Sequence, residues 1–378
     1  MKLRWLLCTL ALSLSGFHCG PKPVPPESVL DRPEIHIQQG WRALERDDLA
    51  AAAEQFERAL ALDPEAAEAH SGLALIAAYR GQFDRAYALA EKGVDLDDKS
   101  IDARITLGRI RVLEKKGDDW LEKAVKEYDR ALELNPQSEK TLYYKGMAYK
   151  EAVRFDMAGE AFREVVAQKG DFAARANREW ELIQIIERAA PGTPMGAEIA
   201  LIEAIDRADL AVLLIEELKL IELLDKKRPP GYDTAFRAPG QSAEAGGSDL
   251  NGISDISAHW AANWIKEIVG ANGMEVFPDG TFRPDEKITR ASYALILQNL
   301  LIVLIGDESL ATKYIGSPSR FPDVAPSHWA YNAACLAVDR NIIRPETLTG
   351  AFGLNEQVSG AEALLMIRQF QNALRMTF

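Results

Sequence analysis

Small and bulky apolar residues return at fixed intervals through the first half of this chain. Gly40, Ala52, Phe56, Ala59 and Pro64 are followed 34 residues later by Ala74, Ala86, Ala90, Gly93 and Asp98. Another step of 34 gives Gly108, and a four-residue insertion around 115–119 displaces the rest to Ala124, Tyr128, Ala131 and Pro136. A fourth copy supplies Gly146, Ala158, Phe162, Val165 and Gly170. The period predicts pairs of helices. Small residues at recurring positions let paired helices approach closely, and the aromatic fills the space between copies. Leu62-Asp-Pro64 and Leu134-Asn-Pro136 predict helix ends, because proline bars the residue before it from the helical region. One helical hairpin cannot bury its apolar face alone, whereas four stacked ones can.

This spacing resembles the tetratricopeptide repeat. The resemblance covers residues 33–172 and implies a solenoid whose inner helices line a concave groove. The groove positions correspond to Trp41, Leu75, Arg109, Tyr143, Met147 and Lys150. That mixture of aromatic, apolar and basic side chains suits an extended peptide or a partner helix.

The second half has a different pattern. Residues 173–225 read as helical, with Trp180 opening an apolar run of helical period that Ala189-Ala-Pro-Gly-Thr-Pro194 breaks. Residues 226–252 hold Gly- and Pro-rich stretches and few apolar residues, and read as a connector. Then one phrase occurs twice: Ile253-Ser-Asp-Ile-Ser-Ala-His-Trp-Ala261 and Phe321-Pro-Asp-Val-Ala-Pro-Ser-His-Trp-Ala330. The first copy continues with Pro278-Asp-Gly-Thr-Phe-Arg-Pro284 and Ile288-Thr-Arg-Ala291. Together these resemble the S-layer homology (SLH) repeat, a module that attaches proteins to cell-wall polymers. Ile205-Asp-Arg-Ala-Asp209 resembles Ile288-Thr-Arg-Ala-Ser292, so 173–225 is expected to be a worn first repeat with Trp180 in the place of Trp260. A helix pair capping the solenoid is the plainer reading of that segment. The clearer repeats are expected at 253–306 and 321–372. The whole chain is therefore expected to be all-α, a tetratricopeptide solenoid followed by a mainly helical three-repeat SLH domain.

In that family, three repeats associate about a pseudo-threefold axis and carbohydrate binds in grooves between them. The resemblance implies a glycan site built from Arg207 and Arg290, Trp260 and Trp329, and Asp255 and Asp323. A guanidinium offers paired donors to an acidic sugar substituent, and an indole stacks on the apolar face of a sugar ring. The plainer alternatives are that the tryptophans pack in the core and the arginines form surface ion pairs. The third repeat has Ser359-Gly360 where Thr-Arg belongs, and Gly360 is expected to tolerate replacement.

Charge and chemistry narrow the picture. A formal charge of −13 repels phosphates and anionic lipid, so nucleic acid is not an expected partner. Lys2 and Arg4 precede an apolar run from Trp5 to Phe17, too short to span a bilayer, that ends at Cys19. Residues 1–18 thus resemble the signal of a bacterial lipoprotein, which implies lipid on Cys19 and a membrane-anchored envelope location. Cleavage near Ser13-Leu-Ser15 is the alternative, since Phe17 and His18 are larger than the residues usual before such a cysteine. The Pro-rich segment 19–32 predicts an extended spacer, with residues 20–33 reaching about 40 Å at PPII rise. Of three cysteines only Cys335 falls in a folded part, where a buried role is expected. The five His residues show no metal-ligand spacing, and no Gly-x-Ser-x-Gly, His-Glu-x-x-His or phosphate-binding loop occurs. No enzyme, cofactor or metal is expected. The expected function is a tether that holds peptidoglycan or a secondary cell-wall polysaccharide while its solenoid recruits a protein. The alternative is an assembly adaptor whose SLH repeats are kept only structurally.

Overall fold

A computed structural model describes residues 23–227 and 252–375. The described residues are helical, linked by turns and isolated β-bridges. No helix among them is long and apolar enough to cross a membrane. The described residues divide into two compact bodies, one formed by residues 23–152 with 170–172, the other by 153–169 with the remaining described residues.

In the first body, seven helices form a series of hairpins: α1 (Pro33–Leu44), α2 (Leu49–Leu62), α3 (Ala67–Tyr79), α4 (Phe83–Leu96), α5 (Ile101–Glu114), α6 (Trp120–Leu134) and α7 (Glu139–Glu151). Phe56 is fully buried between glycines. A Cβ on Gly40 would lie 2.7 Å from its ring, and one on Gly72 would overlap it. Gly108 gives Tyr128 the same room two hairpins later. Asp48, Ser100 and Ser138 cap α2, α5 and α7 by accepting from the backbone N–H three residues on. The four-residue insertion is a turn between α5 and α6, where Lys115 (φ 48°) and Gly117 (φ 76°) take left-handed conformations. The 34-residue period continues into α8 (Phe155–Gln168), but this helix packs on α9 (Ala173–Ala189) in the second body.

The end of the Pro-rich segment is docked on the first hairpin rather than projecting as a spacer. Val24 N–H donates to Ala61 O at 2.7 Å. Asp31 accepts from Glu27 N–H, from Arg58 through both Nε and Nη2, and lies 2.9 Å from His36 Nε2. The Arg58 guanidinium, foremost among these partners, holds the Asp31 carboxyl well below the usual carboxylate range.

The rest of the second body comprises α10 (Pro194–Ile199), α11 (Arg207–Glu216), α12 (Leu220–Lys227), α13 (Ala262–Gly270), α14 (Arg290–Ile305), a 3₁₀ turn at Glu308–Ala311, α15 (Tyr331–Asp339) and α16 (Gly360–Arg375). Three units, each of a first and a second helix (α9 with α11, α13 with α14, α15 with α16), repeat around a ring, and α11 packs on α13, α14 on α15 and α16 on α9. Backbone hydrogen bonds close the ring. Ile288 N–H donates to Ile205 O, Val358 N–H to Ile288 O, and Ile205 N–H to Val358 O, at 2.9–3.0 Å. Each second helix begins with a reciprocal capping box: Asp206 with Asp209, Thr289 with Ser292, and Ser359 with Glu362. Each first helix is followed by a left-handed residue, Ala190 (φ 46°), Asn272 (φ 55°) or Asn341 (φ 56°).

Candidate functional site

Asp255 and Asp323 open the second and third units of the ring. Each carboxylate accepts two consecutive backbone N–H groups from the loop before its unit's second helix. Asp255 takes Phe282 and Arg283 at 2.9 and 2.7 Å, and Asp323 takes Phe352 and Gly353 at 2.8 and 2.7 Å. These bonds hold the loop while its carbonyls face the preceding unit. Burial pushes Asp323 up, but the two N–H donors outweigh it and its carboxyl stays below the ordinary value.

Arg207 and Arg290 stand at the first position of α11 and α14 and reach those carbonyls. Arg207 Nε donates to Phe282 O at 2.7 Å and Nη2 to Glu275 O at 2.9 Å. Arg290 repeats the arrangement on the next unit, with Nε on Phe352 O at 2.7 Å and Nη2 on Arg344 O at 2.8 Å. The guanidinium carbons lie 4.5 Å from the Phe282 ring and 5.2 Å from the Phe352 ring. Burial lowers the Arg207 pKa. Each arginine thus fastens its own unit to the next.

The third interface is built differently. Gly360 N–H donates to Ile202 O, and a Cβ at Gly360 would overlap the Ile199 carbonyl oxygen. The expectation that Gly360 tolerates replacement is overturned by this backbone approach. Two turns along the same helix, Arg368 supplies the missing guanidinium. Its Nε and Nη2 donate to Ala189 O and Ala190 O at 2.7 and 2.8 Å, and Nη2 also meets the buried Glu217 carboxylate at 2.6 Å. Glu217 in turn accepts from Gly192 N–H, Thr193 N–H and Thr193 Oγ1. Neither residue carries a motif, and nothing short of the fold joins positions 151 residues apart.

Trp260 and Trp329 are 52% and 63% exposed, so they are not the packed residues that a helix-opening aromatic usually becomes. Each follows a histidine whose ring lies 5.7 or 5.3 Å away, and whose Nδ1 accepts the N–H two residues on, Ala261 or Ala330. His259 Nε2 lies 3.5 Å from Asp285. The flanking carbonyls of Pro284 and Glu286 accept the Ala208 and Arg207 N–H groups, so His259 and the start of α11 meet the same stretch of chain. Trp180 does not stand where Trp260 does. Counted back from the left-handed residue that follows each first helix, Trp260 and Trp329 fall level with the exposed Arg178. Spacing between motifs misplaced this position because α9 continues without interruption through it.

In the first body, Trp41, Arg109, Tyr143, Met147 and Lys150 are partly exposed on α1, α5 and α7. Leu75 is fully buried with Ala86, Leu107 and Ile110 and offers no surface to a partner. Arg109 lies 4.3 Å over the Tyr144 ring and donates to Tyr79 OH. Trp41 lines a cavity of about 630 Å³ with Ile35, Gln38, Arg42 and Glu68. Its buried Nε1 has no hydrogen-bond partner, and Lys140 Nζ lies 4.8 Å over its ring. Cys335 is buried, and burial raises its pKa. Cys19, residues 1–18 and most of the 226–252 connector lie outside the described residues. Among the described residues, no group of three or more His, Cys, Asp or Glu could hold a metal.

Comparison with known proteins agrees with both halves. Residues 252–294 match the S-layer homology domain, and residues 37–101 match a tetratricopeptide repeat family. Cell surface glycoprotein 1 of Acetivibrio thermocellus is 37% identical over 95 residues, covering 24% of this chain and 4% of that protein. The Cellulosome-anchoring protein of the same organism is 35% identical over 80 residues, covering 21% of this chain and 16% of that protein. The chain thus spans only a small part of these curated relatives. A solved structure described as "Functional Characterization of Pseudomonas Aeruginosa pilF" is 15% identical, covering 75% of this chain and 93% of that one. Its TM-score of 0.31 is too low to carry an argument. The chain is all-α and carries tetratricopeptide repeats and a C-terminal SLH domain. Both are scaffold or binding modules.

Proposed function

We propose that this chain is a non-enzymatic tether of the cell envelope. The segments 173–225, 253–306 and 321–372 act as three SLH repeats that hold peptidoglycan or a wall-associated polysaccharide. The solenoid of 33–172 recruits a protein or peptide through Trp41, Arg109, Tyr143, Met147 and Lys150. Lipid on Cys19 would fix the other end in a membrane, and Cys19→Ala should then abolish metabolic labelling with a fatty acid.

The observation that carries the wall-binding reading is the pair of exposed indoles, Trp260 and Trp329, each beside a histidine that accepts a backbone N–H at the start of a helix. Leaving an indole in water forgoes apolar burial of roughly 1.5–3 kcal/mol per large side chain. A sugar face restores that burial on binding. In this reading Arg207 and Arg290 add donors for acidic substituents, while Asp255 and Asp323 shape the loops beside them. The test is sedimentation of the purified full chain with isolated sacculi. Trp260→Ala combined with Trp329→Ala should weaken retention about tenfold or more with an unchanged helical spectrum. Equal retention would overturn the reading.

A second reading has its own observation. The two arginines and two aspartates spend their hydrogen bonds on loops of the ring. The module would then be an adaptor's structural part. No retention of the wild type on sacculi, with partner capture intact, would favour that reading.

A further inference from the structure

The two exposed indoles do not have the same surroundings. Trp260 has a second indole beside it, Trp264, with ring centroids 6.1 Å apart and planes inclined at 56°. Trp264 lies one helical turn along α13 and is partly exposed. Its Nε1 donates to Glu216 Oε1 on α11 at 3.0 Å, which fixes the ring's orientation from the neighbouring unit. In the third unit, counting back equally from the left-handed asparagines at 272 and 341, the matching residue is Ala333. Ala333 is buried, so Trp329 stands without an aromatic neighbour at that position.

Resting on the glycan-binding reading above, we infer that the second repeat binds two consecutive sugars and the third repeat only one, with Trp264 as the residue that sets this length preference. The inclined indoles form an open angle. A sugar lying on Trp260 directs its neighbour along the helix toward Trp264, whose apolar face is presented at a fixed tilt. Because Glu216 holds that ring before any ligand arrives, little side-chain freedom is lost on contact. The half-buried indole is also anchored by packing, so a platform built this way keeps its geometry in the free protein. Trp264 was not singled out in the sequence because it lies outside the His-Trp-Ala phrase. Its signal was a second tryptophan four residues after the first.

The experiment uses the full chain carrying Trp329→Ala, so that the second repeat alone reports. The probes are disaccharide and tetrasaccharide fragments released from sacculi by muramidase and separated by size, with binding followed by calorimetry. The tetrasaccharide should bind about tenfold more tightly than the disaccharide. Adding Trp264→Leu, which keeps an apolar side chain there without an aromatic face, should bring that ratio near one while leaving disaccharide affinity within about twofold. Trp264→Phe should keep most of the preference. An unchanged ratio in Trp264→Leu would overturn the role of Trp264 and leave the glycan reading standing. Binding of neither fragment would overturn both.

Discussion

Two interfaces of the ring are fastened by an arginine at the first position of a helix, and the third has glycine there. At the first two, a side chain spans the gap to the next unit's carbonyls. At the third, the gap is absent because backbone meets backbone, and Arg368 does the fastening from two turns away. The equivalent positions therefore do one job in two ways. The comparison also follows the indoles. The units that receive Arg207 and Arg290 each present an exposed tryptophan, whereas the unit that receives α16 has Arg178 in that register. On the proposed glycan-binding reading, ring closure and ligand contact are thus separable, with the third interface specialised for closure.

The largest effect should come from Gly360→Ala. The added methyl collides with the Ile199 carbonyl, and backbone cannot yield as a flexible side chain can. We expect a loss of at least about 4 kcal/mol, in the range reserved for severe disruption. Urea unfolding of the second body at wild-type stability would refute the account of the third interface. Next is Glu217→Ala, which leaves Arg368 without its carboxylate and strands the donors of Gly192 and Thr193. Breaking a buried pair from one side costs about 3–5 kcal/mol. Arg290→Ala should be milder, at about 1.5–3 kcal/mol, because two charge-assisted bonds to loop carbonyls are lost and no buried charge is left unpaired. If Arg290→Ala weakened sacculus binding with no change in unfolding, the arginine would be a ligand contact and not a fastener.

The smallest effect concerns pH. Burial, aided by the Asp206 carboxylate, raises Asp209 from 3.8 to about 6. A raised carboxyl favours its protonated form in the fold. Its contribution is fully present below the ordinary carboxylate value and is lost as pH rises through about 6. Asp209→Asn keeps an acceptor for the Asp206 N–H and removes the charge. Relative to wild type it should gain stability progressively between pH 4 and 7, as followed by chemical unfolding. A constant difference across that range would contradict the shift.

Much of the architecture was legible because it rests on local rules that leave a periodic trace. Gly40 and Phe56 announced a close helix crossing, and Leu62-Asp-Pro64 announced a helix end. Ile205-Asp-Arg-Ala-Asp209 marked a helix start that the ring contains. What escaped notice depends on approach in space. Gly360 looked like a lost arginine, and only the position of Ile199 shows why no side chain fits. Leu75 matched a groove position, yet its side chain turns into the packing between α3 and α5. Trp180 drew attention as an aromatic, while the register set by Ala190 gives its expected place to Arg178. Arg368 and Glu217 form an enclosed ion pair of the ring and share no motif, since a long-range pair leaves no trace in local sequence.

The separation of closure from ligand contact has a direct measure in the number of sites. Calorimetric titration of the full chain with muramidase-released wall fragments should give two equivalents per chain. Trp329→Ala should reduce this to one, with the fold unchanged by circular dichroism. Three equivalents in the wild type, or an unaltered stoichiometry in Trp329→Ala, would contradict the account.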